Sequence, residues 1–145
     1  MGISPSREIR YGWMACLIGT AAMDALVILE NAMTGQPLDT SFVLFSRLVG
    51  GGVIVGFILY ILFGSALGII FGTAITRIDA LRIDSAAKGL KVGIAAGLIT
   101  IPMGCVPFAI AVGIPIKTMI PFVTAPHLVW GTVMGWLTNF LLNAR

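Results

Sequence analysis

The sequence is poor in charge. Of 145 residues only 10 % are charged, with nine Lys and Arg against six Asp and Glu, and there is one histidine. Soluble domains carry about 25 % charged residues. The apolar share is 58 % and the mean hydropathy is +1.03. A chain this short cannot bury that much apolar surface in a core of its own. A soluble globular enzyme, a disordered tail and a DNA-binding module are therefore excluded. Catalytic signatures are missing too. There is no HExxH, no GxSxG, no phosphate loop and no second carboxylate near Asp24. The two cysteines, Cys16 and Cys105, form no CxxC and no zinc spacing. Neither a catalytic residue nor a cofactor nor a metal is expected. The net charge of +3 does not suggest nucleic acid, because the basic residues are not clustered around exposed aromatics.

What the chain has is apolar length. A bilayer crossing takes about 20 apolar residues in a helix. Four segments qualify: 11–29, interrupted only by Asp24; 53–75, without a charge; 90–112, with Pro102 and Pro107; and 121–142, with His127 near its start. Backbone facing lipid must satisfy its own hydrogen bonds, so each is expected to be a helix. The first segment follows Arg7 and Arg10 as in a signal peptide, but it runs on to Leu29 without a small-x-small cleavage site. It reads as a retained first span.

Between the first two segments, turn residues 34–37 and the capping residues Asp39, Thr40 and Ser41 precede an apolar run of eight, 42–49, closed by Gly50, Gly51 and Gly52. That run reads as a short interfacial helix. The expected fold is all-α: one integral membrane four-helix bundle with a short interfacial helix in the first external loop. Basic residues fall seven to one side (Arg7, Arg10, Arg77, Arg82, Lys88, Lys91, Arg145) and two to the other (Arg47, Lys117). This bias predicts cytoplasmic termini of a multi-pass plasma-membrane protein.

Glycines recur on rows of four-residue spacing, at Gly56, Gly64, Gly68 and Gly72 with Tyr60 interrupting the row, at Gly93 and Gly97, and at Gly131 and Gly135. In lipid there is little hydrophobic force between helices, and small residues let backbones approach. These eight are the expected packing residues. Trp130, Trp136 and Phe140 are expected to face lipid or its interface.

Counting 1.5 Å per residue from each segment's end places Asp24, Tyr60, Cys105 and His127 at about one depth, near 20–22 Å from the cytoplasmic edge. Ionisable groups inside a membrane are functional candidates. The four form a candidate intramembrane polar layer, with an Asp24–His127 pair at its centre and Tyr60 as hydrogen-bond partner. That pair reads as interhelical glue, as a proton relay, or as a cation site. Glu30 and Asn31 read as a solvated helix end or as the rim of a wet mouth. Met23, Met103, Cys105 and His127 are soft enough for copper(I), but no paired spacing supports a metal.

The stretches Gly19-Thr20-Ala21-Ala22-Met23-Asp24 and His127-Leu128-Val129-Trp130-Gly131-Thr132-Val133-Met134-Gly135 resemble small four-helix membrane proteins of archaea and bacteria, the YagU-like and related families. The resemblance implies a fold and no chemistry. The leading functional expectation is a structural or accessory membrane subunit, packing through glycine faces with itself or with other membrane protein subunits. The alternative is a small channel or proton-coupled transporter built on Asp24 and His127.

Overall fold

The computed structural model describes residues 5–144. Those residues are helical with short connections, and no strand occurs among them. The helices are α1 (Pro5–Thr34), α2 (Thr40–Ser46), α3 (Val53–Arg77), α4 (Ala86–Thr100), α5 (Val106–Val112) and α6 (Ile116–Asn143). A single π turn, Ile101–Cys105, joins α4 to α5, so 86–112 runs as one rod. Three stretches, Arg7–Thr34, Val53–Arg77 and Ala86–Val112, are long and apolar enough to cross a membrane.

The helix ends follow local chemistry. Ser85 caps α4, its Oγ accepting from the Lys88 amide at 3.3 Å. Gly113 ends α5 in the left-handed region at φ 75°, and the Ile114 amide donates back to the Ala109 carbonyl at 2.8 Å. This is the glycine closure that satisfies free end carbonyls. The π turn has its cause in Pro102 and Pro107, which lack the amide of a regular ladder; the Val106 amide reaches five residues back to Ile101.

All four rods outrun their apolar segments, α3 reaching Arg77 and the α4–α5 rod starting at Ala86, and α1 and α6 do so most. Helix α1 covers 5–34 rather than 11–29, because polar ends such as Arg7 and Glu8 continue a helix that hydropathy alone does not mark. Helix α6 begins at Ile116 rather than 121, anchored by Thr118 donating to the Pro115 carbonyl at 2.7 Å. Pro121 and Pro126 both lie inside α6, where each removes one i→i−4 hydrogen bond from the ladder.

The long helices are ordered in space α3, α1, α6, α4. Helices α3 and α4 follow each other in the chain but do not pack together to any extent. Arg7 donates to the Ala144 carbonyl at 3.4 Å, tying the start of α1 to the end of α6. Six of the seven residues in the larger basic group therefore lie at one end of the bundle, and Arg145 lies outside the described residues.

Near that basic end the helices are in backbone contact. A Cβ added at Gly68 would meet the Cys16 Cβ at 2.8 Å, and one at Gly72 would meet the Ile9 Cα at 2.7 Å. Gly64 faces Thr20 in the same α1–α3 seam. In the α4–α6 seam, a Cβ on Gly93 would meet the Gly135 Cα at 2.8 Å and strike the Gly131 carbonyl; Gly97 lies on the His127 carbonyl. These rows face each other within one chain. Gly56 differs from the other seven. It receives the Phe42 carbonyl of α2 and not a long helix.

A cluster of buried side chains, including Cys16, Phe71, Ile75, Trp130 and Met134, fills the space between the seams. Trp130 is 4 % exposed, contrary to the lipid-facing expectation. Gly19 of α1 leaves room for its ring, whose Cδ1 would lie 3.2 Å from a Cβ there. Trp136 and Phe140 are exposed and stacked at 6.0 Å.

Candidate functional site

At the opposite end the bundle is hollow. A cavity of about 740 Å³ lies between α1, α2, α3, the π turn with α5, and α6. Its existence follows from the helix order, because no long helix packs between α3 and the α4–α5 rod there. The prolines and the π turn reinforce the opening by interrupting the straight rod.

The short helix α2 roofs this space. It covers Thr40–Ser46, earlier than the run 42–49, because Thr40 donates to the Pro37 carbonyl and starts the turn. Its aromatic side chains turn inward onto the long helices. Its Phe42 and Phe45 rings pack edge-on against Tyr60 at 5.6 and 5.2 Å, and Phe45 reaches across to Phe108 of α5 at 4.7 Å. Aromatic pairs of this kind contribute about 0.5–1.5 kcal/mol each beyond burial. The bridge from α3 to α5 is thus aromatic and not a helix seam.

The walls are mainly apolar, with polar groups in two places. Glu30, Asn31, Gln36, Thr40 and Ser41 lie at the end where α1 gives way to α2. Deeper, Cys105 of the π turn and His127 of α6 stand side by side, Sγ to Nε2 at 3.2 Å. The other ring nitrogen, Nδ1, is 2.8 Å from the Val123 carbonyl. A carbonyl only accepts, so Nδ1 carries the proton in the neutral ring. Nε2 then accepts from the Cys105 thiol. Seven residues separate Cys105 from the end of α5, a depth of about 10 Å.

The four residues of the polar layer are not brought together as one group. Both nitrogens of His127 are engaged by Cys105 and Val123, which corrects the Asp24–His127 pair. Asp24 instead lies near Ser41 of α2 and Tyr60 of α3. Tyr60, Cys105 and His127 line the cavity, whereas Asp24 does not. Residue counts give depth along a helix axis, but the direction around each axis depends on neighbour order. With α6 between α1 and α4, His127 turns to the α4–α5 side.

The soft-ligand set also separates by role. Met23 and Met103 line the same cavity, yet no group of three or more His, Cys, Asp or Glu positioned for a metal occurs among the described residues. Cys16 is fully buried and donates to the Gly64 carbonyl at 3.1 Å, so it binds α1 to α3. Both cysteines are free thiols.

Sequence reasoning missed Phe45 and Phe108 as partners across the roof. Phe45 sits three residues after Phe42 on one helical face, and that spacing was the available signal. The chain matches no protein-family model, no curated protein and no solved structure. The likeness of its two short motifs to YagU-like proteins therefore adds nothing to the reading of this site.

Proposed function

We propose that the chain is a four-span plasma-membrane protein, both termini cytoplasmic, that binds a ligand with a long apolar chain. The cavity carries this reading. Its volume falls within the roughly 300–1,000 Å³ of small-molecule sites, and such sites combine apolar walls with a few polar groups. Met103 and Phe122 line it while being 75 % and 69 % exposed, so it opens sideways where lipid would stand. Helix α6 joins the three apolar spans because α1 and α4 pack along it. The basic end supports the cytoplasmic assignment.

The reading is of a ligand-binding protein and not of an accessory subunit or a proton channel. Its glycine rows are covered by partner helices of the same chain, so they offer no free face to another subunit. A proton relay through Asp24 and His127 lacks its pair.

Native mass spectrometry of the full chain, extracted gently from its own membrane, tests the proposal. The expected result is one retained lipid-like molecule per chain. Gly104→Leu should lower that retention severalfold, because Gly104 lines the cavity and a Cβ there fits in ordinary contact with the Thr100 methyl at 3.4 Å and Phe63 at 3.8 Å, so the rest of a leucine takes up cavity space. A wild type free of any bound molecule overturns the reading. Fixed-stoichiometry recovery with larger subunits and no small molecule would return the accessory-subunit reading.

A further inference from the structure

The Cys105–His127 pair needs an explanation that ligand shape alone does not supply. A thiol could have filled this wall without a base. Here it meets a bare ring nitrogen at 3.2 Å, and a third group, the Val123 carbonyl, fixes that ring's orientation. Nucleophile, base and orienting acceptor in hydrogen-bond sequence is the arrangement that activates cysteine. Both side chains are half-buried and border the cavity, so the sulfur is within reach of a bound molecule. Cys16 supplies the contrast within one chain: its thiol is fully buried and donates to a backbone carbonyl that cannot take its proton.

We propose that Cys105 accepts a long-chain acyl group from an acyl thioester bound in the cavity, with His127 as its base. This rests on the ligand-binding reading above. The cavity's apolar walls suit the alkyl chain, and the polar groups from Glu30 to Ser41 lie toward the end through which a polar carrier would project.

The step balances. Cys105 Sγ attacks the acyl carbonyl carbon while its proton passes to His127 Nε2. A new C–S bond forms, the C–S bond to the carrier breaks, and the departing thiolate takes the proton from Nε2. One thioester replaces another, so no oxidant, reductant or energy source is consumed. The thiolate is the attacking species, which is why the base matters in an apolar wall. A transient imidazolium is held by its hydrogen bond to the Val123 carbonyl.

The test uses the purified full chain in lipid nanodiscs and the palmitoyl thioester of a small soluble thiol, read by intact-protein mass spectrometry. One acyl adduct is expected, located at Cys105, cleaved by neutral hydroxylamine, and absent in Cys105→Ala. His127→Asn should slow its formation at least about tenfold, since general-base assistance typically contributes 10²–10⁴-fold. Gly104→Leu leaves the pair in place; it should slow transfer from the palmitoyl thioester several times more than from an acetyl thioester. Equal acylation of Cys16 and Cys105, or a rate indifferent to both His127→Asn and Gly104→Leu, overturns the proposal. No adduct on a protein that still retains its lipid-like molecule overturns acyl transfer and leaves ligand binding standing. Loss of both overturns the two together.

Discussion

The two ends of this bundle are built on opposite rules. At the basic end, glycines bring backbones into contact and a cluster of side chains around Met134 fills what remains. At the other end, prolines, a π turn and a roof of phenylalanines hold the helices apart around about 740 Å³. In lipid, association depends on close packing and not on water exclusion. The closed end therefore supplies the cohesion that lets the open end stay hollow. A substitution should cost stability at the first and alter ligand handling at the second.

The strongest challenge to that contrast is Gly93→Leu. Its side chain would enter the backbone of Gly131 and Gly135, which cannot move aside as a side chain could. Loss of at least about 3 kcal/mol is expected, at the upper end of overpacking costs. Denaturant unfolding followed by tryptophan fluorescence measures it, because Trp130 lies in the adjoining core. Next, Met134→Ala removes a fully buried side chain and should cost about 2–5 kcal/mol. The matching change at the open end, Met103→Ala, should stay within about 0.5 kcal/mol, since that residue is 75 % exposed. Equal losses in the same assay would erase the distinction between the two ends.

Phe108→Ala tests the roof. It should cost about 0.5–1.5 kcal/mol through the Phe45 pair, and raise the off-rate of the bound molecule in a competition experiment. The smallest effect belongs to Gly104→Ala. An added methyl meets ordinary contact distances there and removes backbone freedom from the unfolded chain. A gain of about 0.4–1 kcal/mol in thermal unfolding is expected. A loss instead would mean that the π turn requires glycine.

Apolar length made the helical rods legible from residue order. Glycine spacing also marked the packing faces, since a period of four keeps one side of a helix small. Which face meets which was not legible. The spacing of Gly93 and Gly97 is the same whether the partner is α3 or α6, and only the assembled order places them on Gly131 and Gly135. The same limit split the polar layer. Residue counting located His127 in depth, yet a helix turns 100° per residue, and its neighbour proved to be Cys105. Trp130 shows a related limit. Its ring is ordinary at a lipid interface, and only the small Gly19 opposite makes it a core residue.

Because α6 alone packs on both α1 and α4, it acts as the keystone of assembly. The chain emerges from its N-terminus during synthesis, so α1 and α3 meet while α4 still has no partner. The glycine row of α4 stays uncovered until α6 has been made. Synthesis of α6 is thus what closes the bundle, and a ribosome stalled before Ile116 would leave an α1–α3 hairpin beside an orphan rod.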